Sequence, residues 1–208
     1  MRTLGIDPAS TTGWCILDDG KLTDYGVIKV DSSFDLAQRL NFIAIEMSRL
    51  VNKFKPDNVA CEDLILGISG PKTLGLLGRI SGVIIQNCYR ELNKNITLVD
   101  PSTWKKECGL GLKGNAIKVD IQLAVVSHFN LLPQNKVQQL RNEIDGWFLK
   151  VKTAKSAKLP KKEISIIKKE MDKAFKNCQK EMHSITGITE DISDSIAIAL
   201  YQNKLLKN

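Results

Sequence analysis

Four acidic residues stand where an ordinary core would not place them. Asp7 ends an otherwise apolar run in Leu4-Gly-Ile-Asp-Pro-Ala-Ser-Thr-Thr-Gly13, and Glu62 ends a second one, Val59-Ala-Cys-Glu62. Asp191 and Asp194 lie three apart just ahead of the apolar Ile196-Ala-Ile-Ala199, so on a helix they share one face. Carboxylates at strand ends and along one helix face are tolerated inside a fold when they are ionised against a cation. Magnesium, a hard ion with oxygen ligands, fits that demand. Taken singly, some of these residues have plainer explanations. Asp191 and Asp194 suit a helix N-terminus, where the macrodipole favours acids, and Asp7 before Pro8 suits a turn opener. Glu62 mimics a turn poorly, and the four together, in this order on these elements, favour a shared site. His128 and His183 are the only histidines, so any metal site rests mainly on carboxylates.

The elements that must carry these acids can be read from periodicity. Three short strands come first, Thr3 to Asp7, Gly13 to Leu17 and Thr23 to Val30, with Asp18-Asp19-Gly20 as a hairpin turn. Apolar residues then recur at helical spacing from Phe34 to Val51, after Ser32-Ser33 as caps, and this helix ends near Lys55-Pro56. A buried strand over Asn58 to Cys61 follows, then a helix over Pro71 to Leu92, a strand over Ile96 to Val99 and a third helix over Asn115 to Phe129. That third helix is entered through the glycine-rich loop Gly109 to Gly114. The texture changes from Gln134. Lys150 to Lys162 reads as a mobile loop, Ile164 to Ile185 as an amphipathic helix closed by Gly187, and Asp191 to Leu206 as a terminal helix. Three antiparallel strands followed by alternating helices and strands predict an α/β fold, a mixed five-stranded sheet covered by helices. One domain is expected over residues 1–208, with a lysine-rich insertion at about 134–186.

Composition narrows the class further. The 208 residues are 43% hydrophobic, enough for a proper core, and the formal net charge is +7. Residues 146–183 hold eleven lysines against four acids, while the remaining 170 residues balance at nineteen of each sign. No apolar run approaches the roughly 18–20 residues of a membrane span, and the N-terminus has no signal pattern, so a cytoplasmic protein without a membrane partner is expected. Five cysteines (15, 61, 88, 108 and 178) are odd in number and form no CxxC pair, which favours reduced core thiols over a disulfide framework.

On these residues the chain resembles the RuvC-type Holliday-junction resolvases, within the ribonuclease H-like superfamily. Gly5-Ile-Asp-Pro-Ala-Ser10 followed by Thr12-Gly13 is similar to that family's opening strand and turn, and Cys61-Glu62 to its second acidic strand. Gly75 to Ile84 is similar to its glycine-marked second helix, and Asp191-Ile-Ser-Asp194-Ser-Ile-Ala-Ile-Ala199 to its closing acidic helix. The likeness covers roughly residues 1–130 and 187–203. It implies a nuclease in which Asp7, Glu62, Asp191 and Asp194 hold two Mg²⁺ ions about 3.5–4 Å apart, with Mn²⁺ able to substitute. One ion would activate a water and the other stabilise the leaving 3′ oxygen of a DNA phosphodiester, with Asp7 shared between them. Lys118 matches the family's assisting lysine and Lys105 offers a second match, each a point charge suited to steadying the phosphate.

The same resemblance implies four-way or branched DNA as partner and a two-fold homodimer, possible through the helix 71–92, whose Gly75, Gly78 and Gly82 permit close approach. Those glycines suit equally a tight packing of the helix on its own sheet. Lys105, Lys106 and Lys113 are further candidate DNA contacts. The loop after Glu62, Asp63-Leu-Ile-Leu-Gly67, lacks the aromatic residue that family members often stack on a base. Leu64 or Ile65 would serve instead as an apolar wedge, which points to broader action on branched DNA. The basic stretch has two readings: a DNA-contacting arm through Lys150, Lys152, Lys155 and Lys158, or a solvated helix face. The local charge favours the arm, and the lysine-rich extension points to a phage or viral setting. The rival functions are a nuclease for other branched or hybrid substrates, a catalytically idle junction binder, and a sugar kinase or actin-like ATPase. The intact acidic quartet disfavours the binder, and the short chain disfavours the ATPase.

Overall fold

In the computed structural model, residues 1–64, 70–112 and 116–206 are described. Strands β1 (Arg2–Asp7), β2 (Thr11–Asp18) and β3 (Lys21–Lys29) form an antiparallel meander. Asp19 (φ 50°) and Gly20 (φ 81°) make the β2–β3 turn, the left-handed pair that a two-residue hairpin needs. Helix α1 (Leu36–Phe54) follows, then β4 (Asn58–Glu62). Helix α2 (Pro71–Leu92) leads to β5 (Thr97–Val99). β4 runs parallel to β1 and β5 parallel to β4, so the sheet order is β3-β2-β1-β4-β5. The predicted mixed sheet is therefore the one observed.

The described residues divide into two compact units, Met1–Ala116 with Asp191–Asn208, and Ile117–Glu190. In the first, side-chain alternation along the strands sorts two layers. Leu4 and Ile6 of β1, Ile16 of β2, and Val59 and Cys61 of β4 join Ile43 and Met47 of α1 and Ile80, Ile84 and Cys88 of α2 in one core cluster. The opposite face of β1 carries Thr3, Gly5 and Asp7 and receives the terminal helix α7 (Glu190–Leu205). There Thr3 Oγ1 donates to Asn203 Oδ1 at 2.5 Å. Gly5 admits α7 because a Cβ at that position would stand 2.1 Å from the Ser195 carbonyl oxygen. All five cysteines are buried free thiols.

Several boundaries differ from the periodicity reading, each for a local reason. The cap of α1 is Asp35, which accepts from the Gln38 N–H while Gln38 accepts from the Asp35 N–H, both at 2.9 Å. Ser33 instead donates to Asp31 within the preceding turn. A short helix α3 (Pro101–Glu107) was not anticipated, although Asp100 as cap and Pro101 at the first position signal it. In the second unit α4 (Lys118–His128) opens at Lys118 rather than Asn115, which lies outside the described residues.

Lys150 to Lys162 is not a loop. Helix α5 (Gln134–Ser156) continues to Ser156 and α6 (Lys161–Thr186) begins at Lys161. Lysine and alanine are good helix formers, and buried Val151 and Ala154 extend the stripe begun by Val137, Leu140 and Ile144. Only residues 157–160 break the path, with Lys158 at φ 53° before Pro160. The result is a helical hairpin whose turn end, residues 150–169, carries eight lysines and one acid. Among the described residues no helix is long and apolar enough to cross a membrane.

Candidate metal centre

The sheet and one helix bring the acids together. β1 and β4 pair in parallel with Ile6 opposite Cys61, so Asp7 and Glu62, one residue further on, emerge side by side on the face away from the α1–α2 core. That face is where α7 lies, and its first two turns deliver Asp191 and Asp194. Gly13 of β2 makes room for it: a Cβ there would fall 2.0 Å from the Asp191 carbonyl oxygen. The two glycines of the opening motif region, at 5 and 13, thus set how closely the acidic helix approaches the acidic strands.

The electrostatics follow from this placement. Asp7 is buried, with 9% of its surface exposed, and its carboxyl is pushed well above the usual carboxylate range. Burial is the largest cause, followed by the charges of Glu62 and Asp194, a side-chain hydrogen bond with Glu62, and the charge of Asp191. The other three predicted acids therefore all bear on Asp7. Like charges at such range disfavour one another's ionised forms, and a multivalent cation reverses that preference. The donor set, four carboxylates with no histidine or thiol, fits a hard divalent ion. Among the described residues, no three histidine, cysteine or acidic side chains already converge as ligands of a single point.

One contact was missed by the sequence reading. Trp104 of α3 is fully buried, and its indole N–H donates to Glu62 Oε1 at 3.2 Å. The ammonium of Lys105 lies 5.3 Å from the Trp104 ring centroid, so this candidate lysine neighbours the tryptophan that holds Glu62. Lys106 is exposed. Leu64 is half-buried, and its Cδ1 is the nearest atom, at 3.6 Å, to a Cβ built on Gly78. Ile65 and Lys113 lie outside the described residues. In the second unit, Lys118 is the first residue of α4 and pairs with Glu190 at 2.8 Å. Lys150, Lys152, Lys155 and Lys158 are exposed at the hairpin end, the first with its ammonium 4.0 Å from the Trp147 ring centroid.

Acids on two neighbouring strand ends and on the closing helix of this mixed sheet define a ribonuclease H-like architecture. Residues 3–142 match the family model described as crossover junction endodeoxyribonuclease RuvC, and the chain belongs to that family. The RuvC of Finegoldia magna is 33% identical over 141 residues, covering 64% of this chain and 84% of that protein. The RuvC of Caldicellulosiruptor saccharolyticus is 31% identical over 137 residues, covering 63% and 80%. Among solved structures, Thermus thermophilus RuvC superposes with a TM-score of 0.62 at 16% identity, over 100% of this chain and 96% of that one. T. thermophilus RuvC in complex with Holliday junction substrate gives the same TM-score at 15% identity. The family match ends at residue 142, ahead of most of the helical hairpin and of Asp191 and Asp194. The last two acids are joined to the first two by geometry.

Proposed function

We propose that this chain is a divalent-metal-dependent DNA endonuclease that resolves four-way (Holliday) junctions by symmetric phosphodiester hydrolysis, working as a homodimer on DNA in the cytoplasm. The observation that carries the reading is the gathering of Glu62, Asp191 and Asp194 around buried Asp7, in a chain of a family described as crossover junction endodeoxyribonucleases. Such proteins are metal-dependent nucleases; the ion proposed here is Mg²⁺, two per site, with Mn²⁺ as substitute.

Asp7, Glu62, Asp191 and Asp194 would hold the ions, with Asp7 in the middle of the set because the other three all bear on it. Bound ions of this kind supply charge neutralisation at the phosphate and a nucleophilic water. The chain itself supplies the order. The β1–β4 register fixes Asp7 beside Glu62, and Gly13 sets the depth of the α7 acids. Lys118, at the start of α4, is assigned the role of steadying the developing phosphate charge. Lys105, Lys106, Lys113 and the hairpin lysines 150, 152, 155 and 158 are assigned to the DNA backbone.

Homodimerisation through α2 is supported by the open space at Gly82, where among the described residues a Cβ would meet nothing within 4 Å, and at Gly75, where it would meet only the Arg79 tip at 3.8 Å. Among the described residues nothing packs tightly on these two glycines, which leaves their helix cost, about 1 kcal/mol each, to be offset elsewhere. A strictly monomeric protein in sedimentation would remove this part of the proposal. The absence of an aromatic residue from Asp63 to Gly67 favours a broad branched-DNA range over a strict sequence preference.

Asp7→Asn tests the centre. Several kcal/mol of transition-state charge stabilisation, at about 1.4 kcal/mol per tenfold, predicts a loss of roughly a thousandfold in cleavage with junction binding retained. Lys118→Met in the same assay slows cleavage without changing junction affinity. Normal cleavage by Asp7→Asn would sink the site as drawn.

A further inference from the structure

We infer that Trp104 is a positioning residue of the metal centre, its indole N–H holding the Glu62 carboxylate in the orientation a ligand requires. The inference rests on the metal-centre reading above. An indole N–H is donor only, and a buried donor needs an acceptor. Trp104 is fully buried, and the acceptor it meets is Glu62 Oε1 at 3.2 Å. Glutamate at a strand end has three free torsions, and its hydrogen bond with Asp7 lasts only while one of the two carboxyls keeps its proton, whereas the indole N–H donates to the ionised form that binds a cation.

The path that places the indole is short and tied at each step. The Asp63 N–H donates to the Val99 carbonyl at 2.9 Å, joining the end of β4 to the end of β5. The next residue, Asp100, caps α3 by accepting from the Thr103 N–H at 3.0 Å and from Ser102 Oγ at 2.5 Å. Pro101 then starts the helix, and Trp104 falls one turn later. A purely apolar role at this position would be met by phenylalanine. The N–H aimed at a candidate ligand is what such a role does not need, and fixing a ligand's orientation through a second hydrogen bond is how supporting residues tune metal sites.

The test compares the native chain with Trp104→Phe and with a chain carrying β-(3-benzothienyl)alanine at position 104, which keeps the indole outline and lacks the N–H. Circular dichroism and thermal melting check the fold, and free Mn²⁺ is followed by electron paramagnetic resonance. Loss of the donor is expected to weaken Mn²⁺ binding roughly tenfold or more. Cleavage at limiting metal should fall and recover as metal is raised, with junction affinity in EDTA unchanged. Site-specific 5-fluorotryptophan at position 104 retains the donor; it is expected to bind Mn²⁺ as the native chain does, and its fluorine resonance to shift on Mg²⁺ titration. A folded benzothienyl chain with native Mn²⁺ affinity overturns the inference, as does a fluorine signal that ignores Mg²⁺. A native chain that binds no Mn²⁺ overturns the metal-centre reading itself.

Discussion

At the scale of the residue, Asp7 concentrates the chemistry. Its neighbours are three acids, and burial raises its carboxyl further. A carboxyl whose folded-state pKa lies above its unfolded value binds its proton more tightly in the native state. Stability from that proton is complete below the ordinary aspartate range and is lost as pH rises through the raised folded value. The metal-free protein should therefore lose stability as pH rises out of the acid range, and Mg²⁺ should restore it at neutral pH. Asp7→Asn should flatten both dependences. Thermal melts across pH with and without Mg²⁺ check this, and a native protein whose melting temperature ignores Mg²⁺ at neutral pH would contradict it. The four acids could be found from sequence because each breaks an apolar pattern at an element end. Trp104 could not, because a tryptophan in a short amphipathic segment reads as core, and its partner becomes visible only when β4 and β5 pair.

At the scale of the element, the approach of α7 to β1 and β2 depends on side chains that are absent. A methyl at Gly13 would stand 2.0 Å from the Asp191 backbone, an overlap that must move the helix or the strand. Overpacking of this kind costs about 1–3 kcal/mol and occasionally more, or about 2–4 °C in Tm for each kcal/mol in a chain of this size. Gly13→Ala should lower Tm accordingly and, by displacing Asp191, weaken Mn²⁺ binding; a variant with native Tm and metal affinity would show the spacing to be unimportant. The mixed sheet and both long helices of the first unit followed from alternation and the 3.6-residue period, whereas the order of the strands across the sheet, β3-β2-β1-β4-β5, came from the structure. The lysine-rich segment did not, because charge density obscured the Val151 and Ala154 steps that carry the stripe of α5 to Ser156. The short α3 was passed over because seven residues give periodicity too little length to register.

At the scale of the whole molecule, the structure sharpens where the charge sits. Residues 150–169 hold eight lysines against Glu163 alone, leaving twenty-two of each sign in the rest of the chain. The whole excess therefore occupies one end of the α5–α6 hairpin, on helical backbone except for Lys158 in the turn. Deleting the segment would remove ordered turns, so substitution is the cleaner probe. Changing Lys150, Lys152, Lys155 and Lys158 to Gln should weaken junction binding. It should also reduce the slope of log affinity against log salt by up to about 0.9 for each lysine that neutralises a phosphate. The Mn²⁺ affinity should stay native. An unchanged salt slope would remove the hairpin from the DNA surface without touching the metal centre.

The central claim, a metal-dependent nuclease selective for junctions, is tested most directly by one cleavage assay. A mobile four-way junction, a three-way branch and linear duplex are each incubated with the native chain, with Mg²⁺ or with EDTA. The account predicts paired, symmetric cuts in the four-way junction, weaker cutting of the three-way branch, none in linear duplex, and no product in EDTA. Cleavage that persists in EDTA, or a junction left intact at saturating Mg²⁺, would contradict it.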